Sequence, residues 1–256
     1  APGLRDIRAA AHAMHHVLTG HGRAVQAMRA LGVKNLGAVC NFEYVHPADD
    51  TAEAAAAARL YDGIYNRFFL GGLFKGAYPP EVMEGLAPHM PKGWQDDFDL
   101  IGQPLDWCGL NYYTCKRIAP VKGAWPGHGE VPGPLPKTQM GWEIYPEGLE
   151  YFLKWVDTEY TMGLPLYVTE SGMANADRAD QPDQARIDYL NAHVAAAQRA
   201  MAAGAPLKGY TFWSLMDNYE WALGYEKRFG LIHVDFETLK RTPKASYHAL
   251  AAALAS

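Results

Sequence analysis

The chain is poor in cysteine, in long apolar runs and in surplus positive charge, and each shortage narrows what it can be. Cys40, Cys108 and Cys115 are the only cysteines in 256 residues. Their odd number and the lack of CxxC spacing argue against a disulfide framework or a thiolate metal site. They sit in or beside apolar strands, as expected of reduced, buried thiols in a cytoplasmic protein. No uninterrupted apolar run approaches the roughly 18 residues needed to cross a bilayer. The Ala-rich stretches at 52–58 and 249–255 read as helix formers broken by charges or by the chain end. With 23 Lys and Arg against 28 Asp and Glu, the net charge is −5 and the pI about 6.1. No basic surface remains to neutralise phosphates, so neither nucleic acid nor a membrane is an expected partner. The first residues, APGLRDIRAA, lack the basic-then-apolar pattern of a secretory leader, a reading that holds only if Ala1 is the true start.

What is present is a core-forming composition, 49% hydrophobic and 12% aromatic, in a length typical of a (β/α)8 barrel. Four times a short β-rich run gives way to a longer helical one, the alternation of parallel βαβ units. The strands are expected near 34–40, 106–111, 165–169 and 207–213, and the helices near 52–70, 147–162, 182–203 and 244–254. A further amphipathic helix from about 5 to 31 precedes the first strand. Gly32, Gly163 and Gly204 stand where helix C-terminal caps belong.

The segment 116–142 breaks the rhythm, because ten of its 27 residues are Gly or Pro. That composition excludes a helix or a central strand and predicts a long loop at the carboxyl-end face of the sheet. Neither side of it looks like an independent domain, so 1–256 reads as one domain. A closed barrel needs eight strands, however, and four leave the outermost two as open hydrophobic edges. The expected fold is therefore α/β, the C-terminal part of a (β/α)8 barrel of about four βα units, which needs an N-terminal part, on the same or a separate chain, to close.

The chemistry concentrates in LPLYVTESG at 164–172 and in APLKGYTFWSLMDNYEWALGYEKRFGLIHVD at 205–235. One apolar strand stops on a carboxylate, Glu170, and the other among Trp213, Asp217, Glu220 and Trp221. Aromatic faces stack on pyranose C–H surfaces, while carboxylates accept hydroxyls or attack carbon. Together with APGLRD at 1–6, DWCGLNYYT at 106–114 and MGWEIYPEGL at 140–149, these segments resemble the C-terminal portion of family 1 glycoside hydrolases, the retaining β-glucosidase and β-galactosidase family.

The resemblance implies two catalytic carboxyl groups, with Glu170 as the nucleophile in the place of the family's T-E-N-G glutamate. Ser171 stands where Asn is usual. Tyr113 matches the tyrosine that orients the nucleophile. Alternation along a strand sends Tyr112 and Tyr113 to opposite faces, so one of them is expected to pack in the core. Asn111 matches a position near the reacting carbon. Trp213 resembles the stacking platform under the glycone, Glu220 the acceptor for the 4- and 6-hydroxyls, Trp221 a donor to the 3- or 4-hydroxyl, and Phe229 an aromatic wall. Trp142 resembles the aglycone-side tryptophan, with an anchor for the Gly/Pro loop as its other reading. Asn41, Glu43 and His46 could also reach the aglycone.

Glu220 stands where phospho-glycosidases of this family place Ser, and a carboxylate there would repel a sugar phosphate. Unphosphorylated β-glycosides are the implied substrates, with Lys227 expected in solvent. His12, His15 and His16 have helical metal-ligand spacings but no third ligand in sight, and a solvated helix face is expected. The resemblance implies neither metal nor cofactor. The family's acid/base Glu, in a T-x-N-E-P motif, has no counterpart in the 256 residues. An active enzyme completed by an upstream segment, a non-catalytic sugar-binding relative and an inactive truncated fragment all remain open on the sequence.

Overall fold

The computed structural model describes residues 3–176, 178 and 181–255. Helix α1 (Ile7–Ala30) opens with the Asp6 side chain accepting from the Ala9 amide, satisfying one of the unpaired first-turn N–H groups. It ends at Gly32, whose φ of +80° supplies the left-handed residue that stops a helix. Gly163 and Gly204 lie in the same region, with φ of +94° and +103°.

Four parallel strands follow in sequential order across one sheet, β1 (Gly37–Pro47), β2 (Trp107–Pro120), β4 (Leu166–Glu170) and β5 (Leu207–Tyr210). The order never reverses, so the sheet has no switch point of the doubly wound kind and is built as a barrel wall is. Between β1 and β2, α2 (Ala52–Asp62) continues through a wider π-helical turn into α3 (Phe68–Leu70). Two short helices, α4 (Pro80–Leu86) and α5 (Phe98–Ile101), then pack against α1. Helices α6 (Pro146–Val156), α7 (Gln184–Ala202) and α8 (Ala245–Ala255) follow β2, β4 and β5.

The main core lies between the sheet and these helices. Phe42, Cys108, Leu110, Tyr112, Leu166 and Val168 from the strands meet Leu149, Phe152 and Val156 of α6 and Ala197 and Ala200 of α7. At roughly 25 cal/mol per Å² of buried apolar surface, this layer is the principal driving force for the fold. Burial pushes the Cys40 thiol up to about 12 and raises Cys108 further, so neither is a thiolate at neutral pH.

The opposite face of the sheet carries no helix among the described residues. Val39 is exposed there, and a cavity of about 440 Å³ is lined by Asn35, Trp107, Tyr167, Thr169 and Thr211. The outer edges of β1 and β5 pair with no other strand among the described residues.

Two expectations need correction, and one element is new. The segment 116–142 is not loop throughout, because β2 runs on to Pro120 and β3 (His128–Val131) folds back on it antiparallel, from Arg117 opposite Val131 to Pro120 opposite His128. The prolines at 120 and 132 fall at the ends of this short ladder, where no N–H is required. Next, His12, His15 and His16 of α1 do not share a solvated face, since only His16 is exposed and His12 is half-buried. His15 is buried, with Nδ1 2.8 Å from the Tyr78 hydroxyl and Nε2 2.9 Å from Asp97 Oδ2. Last, the chain after β5 forms a small hairpin, β6 (Ile232–Val234) with β7 (Arg241–Pro243), before α8. No described helix is long and apolar enough to cross a membrane.

Candidate active site

Register alone gathers the polar residues at the carboxyl ends of the strands. Asn41 of β1 pairs with Asn111 of β2, and Asn111 pairs with Glu170 of β4. A β-bulge lies beside each key position. Between β1 and β2 the ladder steps from Phe42/Tyr112 to Glu43/Thr114, leaving Tyr113 as the extra residue. Between β2 and β4 it steps from Leu110/Val168 to Asn111/Glu170, leaving Thr169 as the extra residue. Bulges break strict alternation and re-aim side chains. Here they bring the Tyr113 hydroxyl to donate to Glu170 Oε2 at 2.7 Å.

Burial first, and the hydrogen bond to the Glu170 carboxylate second, raise the pKa of Tyr113 far above its ordinary value. The phenol therefore stays protonated and acts as the donor throughout the physiological range. Tyr112 points the other way, fully buried in the helix-side core with its hydroxyl on the Tyr145 carbonyl at 2.6 Å. Thr169 donates to Asn111 Oδ1 at 2.7 Å, which fixes the Asn111 amide next to the carboxylate.

Three aromatic rings cluster where Tyr113 meets the carboxylate. Tyr113 lies 5.5 Å from Trp142 and 6.3 Å from Phe229, and Trp142 lies 6.2 Å from Phe229, all tilted or edge-on. Phe229 is buried, while Trp142 is half-exposed at the rim. Trp142 is held from behind, because its carbonyl accepts from Thr138 and its neighbour Glu143 accepts from the Leu135 amide at 2.9 Å.

Trp213 follows directly on the β5 ladder. Its amide donates to the Ser171 carbonyl at 2.9 Å, which sets its backbone beside the end of β4. Glu220 lies near enough for the Glu170 charge to raise its pKa, although burial is the larger cause. Trp221 is 81% exposed. Of the eight residues anticipated from the sequence, direct contacts join Tyr113 to Glu170, Trp142 and Phe229, Asn111 pairs with Glu170 in register, and the Glu170 charge reaches Glu220.

Several neighbours have other duties. Asp217 is buried and points away from the pocket. It accepts from Arg228 at 2.6 Å, from the amides of Gly230 and Val234 at 3.0 and 3.2 Å, and from Lys244 at 3.2 Å. It thus knots together the loop that presents Glu220. Lys227 is not in open solvent, since it is half-buried and its Nζ lies 3.4 Å from the Gln139 carbonyl. Glu43 accepts from the Tyr61 hydroxyl at 2.6 Å, and Asn41 donates to the Tyr65 hydroxyl at 2.6 Å. His46 packs between Tyr44 and Tyr145, each 4.9 Å away, on the helix side of β1.

Helix α7 contributes residues that motif matching passed over. Arg186, Tyr189 and His193 are buried, and Tyr189 donates to the Tyr113 carbonyl at 3.2 Å. Their i, i+3, i+7 spacing is the core-facing stripe of the helix, and large polar residues on such a stripe are the signal that was available.

A sequential β/α wall with a carboxylate and aromatic rings at its carboxyl end is the site arrangement of a (β/α)8-barrel enzyme fold. The family model for glycosyl hydrolase family 1 matches residues 1–254, and the chain belongs to that family. It is 42% identical over 258 residues to beta-glucosidase A of Thermotoga maritima, covering 96% of this chain and 56% of that protein. It is 41% identical over 266 residues to a beta-glucosidase of an Agrobacterium species, covering 98% and 57%. The solved family 1 β-glucosidase of Thermotoga maritima superposes with a TM-score of 0.94 at 40% identity, over 100% of this chain and 59% of that one. The same enzyme in complex with deoxynojirimycin gives 0.94 at 41% identity over the same shares. The four βα units are therefore part of a (β/α)8 barrel, and the chain spans somewhat over half the length of these relatives.

Proposed function

We propose that this chain carries the nucleophile and part of the glycone pocket of a retaining β-glycosidase acting on unphosphorylated β-glucosides or β-galactosides. The observation that carries this reading is the 2.7 Å hydrogen bond to Glu170 Oε2 from Tyr113, whose ring packs against Trp142 and Phe229. Tyr113 occupies one carboxylate oxygen, so the other is left to approach a sugar. Glu170 attacks the anomeric carbon, the bond to the leaving oxygen breaks, and a glycosyl ester forms.

A second carboxyl group about 5–5.5 Å away must protonate the leaving oxygen and then activate the water that cleaves the ester. In this reading a preceding barrel segment supplies it. The same segment closes the open face of the sheet over Trp107, Tyr167 and Thr169. Trp213 is the platform under the glycone, Glu220 and Trp221 take its hydroxyls, and 116–142 forms the mouth of the site beside Trp142. Two neighbouring carboxylates, Glu170 and Glu220, disfavour a phosphorylated sugar. Family membership and the deoxynojirimycin complex of a relative support a sugar-like ligand. Three free thiols suit a reducing, cytoplasmic setting.

The test is covalent trapping of the barrel-complete enzyme with a slow 2-fluoro-β-glucoside, followed by peptide mapping. The expected label is one sugar on Glu170. A label on another residue, or an enzyme that turns over substrate yet is never labelled, overturns the proposal.

A further inference from the structure

Arg186 is the largest fully buried side chain among the described residues, with 0% exposure, and its partners include a carboxylate and backbone carbonyls. It projects from the first turn of α7 into the space between two loops. Its Nε donates to Asp183 Oδ2 at 3.1 Å. One Nη donates to the carbonyls of Met173 and Phe229, the latter at 3.1 Å, and the other to the Arg228 carbonyl at 3.1 Å. Met173 is three residues beyond Glu170, and Phe229 forms the wall opposite Tyr113. A single planar fork thus joins the chain leaving the nucleophile to the chain bearing the aromatic wall.

The anchor of that fork is itself fixed. Asp183 Oδ1 accepts from the Ser246 amide at 2.9 Å and Oδ2 accepts from the Ser246 hydroxyl at 2.5 Å, which ties the start of α7 to α8. The Asn175 amide adds one backbone bond to the Arg228 carbonyl at 3.1 Å. A buried guanidinium with its donors spread over three carbonyls is a rigid spacer, because its geometry is planar and its charge permanent. Lysine would keep the charge and lose the fork.

We propose that Arg186 is a positioning residue for glycoside cleavage, which sets the separation between Glu170 and the Phe229 wall by clamping the carbonyls of Met173, Arg228 and Phe229. This rests on the glycosidase reading above. Attack on the anomeric carbon needs near-contact distances, and displacement of about 1 Å costs on the order of a hundredfold in rate. A residue that only stabilised the fold would change melting temperature without changing the chemistry of folded molecules.

The experiment compares Arg186→Lys and Ser246→Ala with the unaltered, barrel-complete enzyme. It measures the saturating rate of labelling by a slow 2-fluoro-β-glucoside, the apparent affinity for that probe, and the melting temperature, all well below melting. Arg186→Lys is expected to lower the saturating rate about tenfold or more while affinity changes far less. Ser246→Ala, which loosens the anchor but leaves the fork, should shift the rate in the same direction by a smaller amount. A folded Arg186→Lys enzyme that labels as fast as the unaltered one overturns the proposal. If that variant does not fold, an unchanged labelling rate in Ser246→Ala overturns it. Failure of the glycosidase reading is distinguishable, because then the unaltered enzyme is not labelled at Glu170 either.

Discussion

The backbone carbonyl of Trp213 passes so close to Gly172 that a Cβ built on the glycine would lie 1.9 Å from its oxygen. The glycine is required here by approach, not by a left-handed φ. It lets the chain leaving Glu170 run against the chain carrying the proposed sugar platform. Gly172→Ala is expected to force the two apart, with a loss of about 1–3 kcal/mol from overpacking. Urea unfolding should show a lower midpoint with an unchanged slope, and glycone affinity in the complete enzyme should fall with it.

Tyr113 and its neighbour separate orientation from packing. Hydrogen bonds to charged groups contribute about 1.5–3 kcal/mol, so Tyr113→Phe should lower kcat/KM about 10- to 150-fold while leaving the ring contacts with Trp142 and Phe229. Tyr112→Phe removes one of two donors to the Tyr145 carbonyl, which keeps the Gly148 amide at 3.2 Å, and should cost about 0.5–1.5 kcal/mol in stability with turnover intact. Equal losses of turnover in the two variants would remove the orienting role from Tyr113.

Glu220 costs the fold some stability at neutral pH. Its folded pKa is raised above the ordinary 4.5 by burial and then by the Glu170 charge. In the folded state the proton is therefore held more tightly than in the unfolded chain, and this contribution is lost as pH rises from about 4.5 through the folded value. Glu220→Gln should make the protein more resistant to urea at pH 7 than the unaltered form, with little difference at pH 4. Binding of an unsubstituted glucoside should weaken under the proposed reading, in which the Glu220 carboxylate is the acceptor for two hydroxyls.

The strands, their order and the carboxylate with its aromatic partners were legible because they are local: apolar runs ending on Glu170, and the NYYT and FWSLMDNYEW frames. What aims Tyr113 and Glu170 at each other was not legible. Two bulges accomplish it, at Tyr113 and Thr169, and a bulge is a mismatch between two strands rather than a property of one. The hairpin of β3 was hidden in the same way, since four residues among glycines and prolines gain their stability from β2.

Polar residues in the interior are hard to read from sequence for a related reason. The spacing within α1 predicts a solvated His15, and Asp217 stands among the polar residues that end the last strand, yet both are buried and engaged with distant partners. Tyr78 and Asp97, the two partners of His15, lie 63 and 82 residues away along the chain. No spacing rule within one helix reaches that far. The buried face of α7 was more accessible, because Arg186, Tyr189 and His193 recur at the spacing of a core stripe.

His193 gives the clearest pH dependence. It is fully buried, stacks on Tyr189 at 3.8 Å between centroids, and donates from Nδ1 to the Tyr189 carbonyl at 2.8 Å. Burial lowers its pKa from 6.5 to about 4. The unfolded chain therefore takes up a proton near pH 6.5 while the folded protein refuses it until about 4. Stability from this group is fully present above 6.5 and is lost as pH falls through that window. The gap corresponds to about 3 kcal/mol, a sizeable fraction of the stability of a typical domain. His193→Gln can keep the bond to the Tyr189 carbonyl but cannot titrate. Its unfolding free energy should be lower than that of the unaltered chain at pH 7 and should decline less steeply between pH 6.5 and 4, as followed by urea titrations across that range. Parallel declines in the two proteins would assign the acid sensitivity to other groups.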